Sequence, residues 1–244
     1  MLAVVPARGG STGLPGKNIR PFAGMPLIAH SLLFAKLCQE IDRLIVSTDS
    51  EDIARVAQNF GRTELLRRPA ELAKHDTPIW PVLRHALQCV ESEEHATYDY
   101  LLLLDPTSPA RLPLDLQQAL KRLQQQPEAD GVVAVSKPTF NPIWHCVVEQ
   151  EGWMTDLFES ASRYQRRQDV PPVFRINGAL YLWRTDFVRR VEDDWRGRGH
   201  HIMVEIPELR AMSIDSIEQF EQAEMLVTAG LIKLPWLPAP KATA

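Results

Sequence analysis

The sequence predicts an α/β fold, a doubly wound and mostly parallel sheet flanked by helices. Three observations lead to it. Strand-like and helix-like patterns alternate along most of the 244 residues, which is the signature of βα units. Two segments, Leu2-Ala3-Val4-Val5 and Tyr100–Leu104, are continuously apolar, as strands buried on both faces are. The first of them opens into a glycine-rich loop carrying two cations. Such a loop emerges at the carboxyl end of its strand, where open α/β sheets place their ligands.

That opening loop, AVVPARGGSTGLPGKN over residues 3–18, contains Gly9, Gly10, Gly13 and Gly16 between Arg8 and Lys17. Glycines let a backbone approach a ligand and turn its N–H groups inward. The glycines alone would suit a tight turn; the two fixed positive charges favour polyphosphate. A P-loop is excluded by spacing, since Ser11 stands where its first Gly is needed and Asn18 follows Lys17 in place of Ser or Thr. The dinucleotide pattern G-x-G-x-x-G is absent as well.

The following elements alternate in order. Pro26–Leu37 has apolar residues at helical spacing, and Arg43–Thr48 reads as the next strand. Ser50 caps a helix to about Phe60, with Glu51 and Asp52 in its first turn. Thr77 and Pro78 supply the cap and first turn of a helix to about Val90. The apolar strand from Tyr100 ends at Asp105-Pro106-Thr107; Pro113–Gln125 is helical and Gly131–Ser136 a strand. Leu180–Trp183 and Ile202–Ile206 are later strands, and Ile217–Ala229 is the last helix. Residues 137–172 break the alternation and read as a lid or dimerisation arm, so 1–234 form one domain and 235–244 a loose tail.

Composition narrows the function. A net charge of −4 argues against nucleic acid, which selects a basic face, so an anionic substrate must be drawn by local cations. No apolar run reaches the length of a membrane span, and the N-terminus has no signal-peptide layout. Cys38, Cys89 and Cys146 lack metal spacing and read as reduced, mostly buried thiols of a cytoplasmic protein.

The segments PARGGSTGLPGKN, VSTDSEDIA, RPAELA, LLDPTSPAR, RRQDVPPVFRINGALY and SIDSIEQF occur in this order across residues 6–220. On these motifs the chain resembles the acylneuraminate cytidylyltransferases, the CMP-sialic acid synthetase family. The resemblance implies the nucleotide-diphospho-sugar transferase form of the α/β fold, a homodimer, and Mg²⁺ as divalent metal. It further implies a reaction between CTP and an acidic 2-keto sugar of the sialic or legionaminic type. The anomeric hydroxyl attacks the α-phosphorus, giving the CMP-sugar and pyrophosphate. A KDO-type or amino-KDO substrate, or a paralogue that binds nucleotide without chemistry, are the alternatives.

The same resemblance distributes roles. Arg8 and Lys17 lie on the CTP phosphates, with Gly9, Gly10 and Ser11 in the loop around them and Asn18 near the nucleotide. Arg8, Lys17 and Asp215 form the catalytic set. This suits a reaction in which alignment and neutralisation of charge around phosphorus carry catalysis. Arg68, from R-P-A-E-L-A, belongs to the nucleotide site, unless it is only a surface cation before a proline turn. Asp215 matches a metal-binding Asp, unless it caps the last helix, since Ser216 and Glu218 follow it. Many members carry a second Asp where Ser213 stands here. Mg²⁺ prefers carboxylate and phosphate oxygens, so Asp105 is a candidate second ligand. Many members have a sugar-contacting Gln at that position, so Asp105 is either metal ligand or sugar contact.

On the sugar side the resemblance places Arg167, Arg175 and Asn177, often reaching the site from the partner subunit. A guanidinium fork suits a carboxylate; a solvated basic surface is the other reading and is the one given to Arg163 and Arg166. Trp80 either lines the nucleotide site or packs in the core. The stretch Asn141–Trp144 replaces one that carries Lys in some sialic acid enzymes and points to a different sugar. His145, His200 and His201 have no metal spacing.

Overall fold

The computed structural model describes residues 1–10, 13–61, 63–192 and 194–238. The chain runs through β1 (Leu2–Pro6), β2 (Pro21–Phe22), β3 (Met25–Pro26), α1 (Leu27–Leu37), β4 (Arg43–Thr48), α2 (Glu51–Gln58), β5 (Glu64–Arg67) and α3 (Ile79–Glu94). It continues through β6 (Tyr100–Leu103), α4 (Pro113–Gln125), β7 (Gly131–Ser136), α5 (Pro142–His145), β8 (Val147–Gln150) and β9 (Trp153–Asp156). Last come β10 (Arg175–Arg184), α6 (Thr185–Arg190), α7 (Trp195–Arg198), β11 (His201–Glu205) and α8 (Ile217–Thr228).

Seven strands form one sheet in the order β11-β7-β10-β6-β1-β4-β5. All neighbours are parallel except β10, which runs antiparallel to both β6 and β7. β1 lies in the middle, with Val4 opposite Ile45 on one side and Leu103 on the other. The chain leaves β1 towards β4 and β5, then returns to β6 on its other side. The carboxyl ends of β1 and β6 therefore flank the point where the winding reverses, the usual ligand crevice of such sheets.

Alternate residues of the central strands feed two apolar layers. Ala3, Val5, Val46 and Leu102 pack under α1, α2 and α4 through Ile28, Leu32, Ile53, Leu116 and Leu123. Leu2, Val4, Ile45 and Leu101 face α3 and α6 through Leu83, Leu87, Val90, Phe187 and Val188. Trp80 belongs to this second layer: its ring lies 4.7 Å from Trp183 and 5.8 Å from Phe187. Of the two sequence readings, Trp80 is core.

Local signals set most boundaries. Ser50 accepts the Ile53 amide at 3.4 Å to cap α2. Pro113 opens α4, whose Asp115 accepts the Leu112 amide at 2.7 Å. Thr77 is a correction, because its hydroxyl donates to the Glu71 carbonyl at 3.3 Å and Pro78 precedes α3 without a side-chain cap. β5 has no sequence signal, since its mixed ELLR is an edge strand. The segment expected as Leu180–Trp183 is ten residues long, with a bulge between Ile176 and Tyr181 where Gly178 takes φ +73°.

The arm expectation for 137–172 meets a helical turn, α5, capped by Asn141 at 3.0 Å, and the hairpin β8–β9, which is not part of the main sheet. Trp153 and Met154 on this hairpin are 76% and 78% exposed. Within the stretch expected as a loose tail from 235, Trp236 donates its indole N–H to His30 Nδ1 at 3.0 Å, and Leu234 just before it is buried. Residues 239–244 lie outside the described residues. All three cysteines are free, but only Cys38 is buried, and burial beside Glu40 pushes its thiol up to about 12.

His30 is fully buried. Since Nδ1 accepts from Trp236, Nε2 carries the proton and donates to the Phe22 carbonyl at 3.0 Å. Burial lowers its pKa to about 4 against the Phe22 bond, which acts the other way. Between the ordinary value of 6.5 and 4 the unfolded chain takes up a proton that the folded chain refuses. Stability is therefore complete above this window and falls as pH drops through it, by up to about 3 kcal/mol. Denaturant titrations from pH 4 to 7 should show this slope in the wild type, and His30→Gln should flatten it.

Candidate functional site

Four loops meet above the carboxyl ends of β1 and β6 and enclose a cavity of about 500 Å³. They are the opening loop, the turn after β6, the 68–78 segment and the stretch before α8. Gly16, at φ +66°, starts the 3₁₀ turn Lys17–Ile19, and this turn aims Lys17 across the cavity. Lys17 Nζ donates to the Ile214 carbonyl at 2.8 Å and to Asp215 Oδ1 at 2.9 Å. Its side chain is 12% exposed, while that of Asp215 is 65% exposed. Asn18 is buried and donates to the Arg8 carbonyl at 3.1 Å, so it holds the loop's backbone at the cavity wall.

Asp215 is not the helix cap. Ser216 accepts the Gln219 amide at 3.3 Å and Gln219 accepts the Ser216 amide at 3.1 Å, completing a capping box without it. Ser213, where a second carboxylate was missed, donates to Asp215 Oδ2 at 3.0 Å. Burial pushes the Asp215 carboxyl up, but the hydrogen bond and charge of Lys17, helped by Ser213, hold it below the usual carboxylate range.

Arg68 is not a surface cation. It is buried, and it donates to the Ser47 hydroxyl at 3.2 Å and the Ser47 carbonyl at 2.8 Å. Burial and the charge of Arg8 push its pKa down, and only Asp49 opposes them. Asp105 closes β6 and accepts the Thr107 amide at 3.0 Å and hydroxyl at 2.9 Å through one oxygen. Asp105 and Asp215 line the same cavity, as do Arg8 and Lys17. Lys74 and His75 also line it. Sequence reasoning missed them, and only the return of the 68–78 segment over the cavity could have revealed them.

Other expected residues stand elsewhere. The Gly9 amide is taken by Asp49 Oδ1 at 2.9 Å, and Gly9 borders a smaller recess of about 150 Å³. Ser11 lies outside the described residues. Gly10 has open space around it. Arg167 is exposed on its own 3₁₀ turn, and Arg166 pairs with Asp169 at 2.8 Å. Arg175 is paired with Glu208 at 2.9 Å and borders a different cavity, also of about 500 Å³. Asn177 is buried in the β10 bulge, where its Oδ1 accepts the Ala179 amide at 3.1 Å.

A cation-lined cavity at the winding reversal of such a sheet marks an α/β protein whose ligand crevice suits an anionic guest. The chain belongs to the cytidylyltransferase family, whose sequence pattern matches residues 2–232, and is thus a nucleotidyltransferase. It is 33% identical over 184 residues to a CMP-N,N'-diacetyllegionaminic acid synthase of Legionella pneumophila, covering 75% of this chain and 77% of that one. It is 31% identical over 230 residues to the enzyme of the same name from Campylobacter jejuni, covering 93% and 95%. In fold it is similar to a CMP:2-keto-3-deoxy-manno-octonic acid synthetase solved with CTP, at a TM-score of 0.67 and 19% identity over 92% of this chain and 97% of that one.

Gly13 shows how closely the loops meet. A Cβ there would lie 2.6 Å from the Asp215 carbonyl oxygen, whereas one at Gly10 meets nothing within 4 Å. Denaturant unfolding should show Gly13→Ala destabilised by about 1–3 kcal/mol, the scale of an overpacked contact. Gly10→Ala should stay within about 0.5 kcal/mol of wild type.

Proposed function

We propose that this cytidylyltransferase transfers CMP from CTP to the anomeric hydroxyl of an acidic nonulosonic 2-keto sugar. The attacking oxygen bonds to the α-phosphorus, the bond from that phosphorus to the β-phosphate bridge breaks, pyrophosphate leaves and the hydroxyl proton is released. The observation that carries the reading is the shared cavity of Arg8, Lys17, Arg68, Asp105 and Asp215. The names of the two bacterial relatives favour an acceptor of the legionaminic class.

The chain's own residues divide the work. Arg68, already committed to Ser47, gives fixed charge beneath the triphosphate. The side chains of Arg8 and Lys74 have no hydrogen-bond or ion-pair partner among the described residues, and they are the cations free to take phosphate oxygens. Lys17 supplies charge at the reacting phosphate, where preorganised donors act most strongly. Asp215 and Asp105 would hold Mg²⁺: two carboxylates and the Ser213 hydroxyl make an all-oxygen donor set, which fits a hard cation. When bound, Mg²⁺ shields the negative charge of the phosphate oxygens.

A homodimer belongs to the same reading. The exposed Met154 of β9 and Val147 of β8 share one face of the hairpin and the exposed Trp153 stands on the other; a second copy gripping the hairpin would cover them, bringing Arg167 of one arm towards the other subunit. CTP supply and free thiols suit the cytoplasm. Trp153→Ser with Met154→Ser should convert a sedimenting dimer to monomer with the fold intact; a wild-type chain that sediments as a monomer overturns this part.

Pyrophosphate release with CTP, Mg²⁺ and a panel of sialic, legionaminic, pseudaminic and KDO-type acids tests the reaction. Release with a legionaminic-type acid is expected, and silence across the panel while calorimetry still records CTP binding overturns the acceptor class. Lys17→Ala should lower turnover about 10²- to 10³-fold, or ~3–4 kcal/mol. Lys74→Ala should leave kcat nearly unchanged and raise half-saturating CTP about fivefold, as ~1 kcal/mol from an exposed charge gives. Asp215→Asn should raise the Mg²⁺ requirement and leave the melting temperature close to wild type.

A further inference from the structure

The stretch from Glu208 to Asp215 carries the site's exposed carboxylate, yet after the short turn Glu208–Arg210 it has no regular structure until α8 begins. Two arginines tie it down away from the cavity. Arg175 of β10 gives Nε to the two Glu208 oxygens at 2.9 and 3.0 Å, and Nη2 to the Ala211 carbonyl at 2.8 Å. The Ser136 hydroxyl of β7 donates to the same Glu208 carboxylate. Arg210 grips Asp115 of α4 with Nη1 at 2.6 Å and Nη2 at 2.8 Å, and Nη1 also reaches the Ala110 carbonyl at 3.2 Å. Both members of this second pair are largely withdrawn from water, at 16% and 5% exposure.

We infer that Arg175 and Arg210 are positioning residues that fix where Asp215 and the Ile214 carbonyl receive the Lys17 ammonium. A planar guanidinium with two parallel hydrogen bonds holds direction as well as distance. Arg210 makes such a fork on Asp115 of α4, and Arg175 of β10 spans Glu208 and Ala211 with Nε and Nη2, so the short segment is held at two places and left little freedom. Beyond them the Ile214 amide donates to the Thr107 carbonyl at 3.0 Å, which joins the segment to the Asp105 turn. The segment therefore reaches the cavity already oriented, and catalytic groups need placement within about 0.5 Å to act. Arg175, which the motif resemblance sends to the sugar, is turned instead into the second cavity behind this segment, which meets the first at Ser213. A guanidinium already shared between a carboxylate and a carbonyl is a poor receptor for an acid sugar. Asp115 is unsuited to a test because it also caps α4, so the arginines are the positions to change.

The inference relies on the proposed reaction for its kinetic readout alone. In Arg210→Gln and Arg175→Gln, kcat should fall about tenfold or more, as loss of an orienting partner does, while half-saturating CTP stays within about threefold because Arg8 and Arg68 are untouched. Arg210→Lys, which keeps the charge and one hydrogen bond, should recover part of the loss and decides the matter if the Gln variant does not fold. Hydrogen exchange at the Ile214 amide should quicken in each variant. A kcat within about twofold of wild type in the folded variants overturns the inference. So does an Arg175→Gln enzyme whose only defect is a raised KM for the sugar with Ile214 exchange unchanged, which would return Arg175 to substrate binding. If the wild type releases no pyrophosphate with any sugar, the proposed reaction fails, and Ile214 exchange still judges the positioning role.

Discussion

The contact between Lys17 and the Ile214–Asp215 stretch joins the first loop of the chain to the segment before its last helix, nearly two hundred residues later. The rest of the site is arranged around it. As an ion pair it contributes little to stability, because one partner is mostly in water and exposed pairs are worth ~0–1 kcal/mol. Its importance is positional. It sets a cation and a carboxylate side by side over the ends of β1 and β6, which are adjacent parallel strands in the interior of the sheet. Gly13 is required at the same junction, where the two loops approach too closely for any side chain.

The arginines show how a chain of net negative charge builds a local anion site. Several of those around the cavity are committed to groups within the protein. Arg111 is fully buried, donates to the Asp105 and Ser108 carbonyls and lies over the Phe34 ring at 5.7 Å. Burial pushes its pKa down to about 10 despite Asp105 and Asp115 nearby. It thus shapes the turn that presents Asp105 while its own charge stays below the cavity. Arg68, Arg175 and Arg210 are likewise tied to backbone or carboxylate groups. The side chains of Arg8 and Lys74 have no such partner among the described residues, and this division separates the groups that hold the architecture from those that can meet a ligand.

The excursion between β7 and β10 follows a different rule from the sheet. Its hairpin exposes large apolar side chains, whereas the wall of Trp80, Tyr181, Trp183, Phe187 and Trp195 on α3, β10, α6 and α7 is closely interlocked. The bulge at Gly178 interrupts the pairing of β10 with β7, and Asn177 beside it is buried. Bulges of this kind redirect side chains at the rims of sheets. Here the redirected residue is buried beneath the site's margin and has no opening into the cavity.

Much of this was legible in the chain itself. Uninterrupted apolar runs marked the central strands, Ser50 and Pro113 marked helix starts, and the glycine-and-cation loop marked the ligand end of β1, because each signal is local and acts within a few residues. The ordered motifs further specified a cytidylyltransferase. The structure decided what depends on distant partners. It made Arg68 a buried group, freed Asp215 from capping, brought Lys74 to the cavity, turned Arg175 towards Glu208 and drew Trp236 onto His30. None of these follows from sequence spacing, since burial, charge pairing and loop closure are fixed only when segments far apart in the chain compete for the same space.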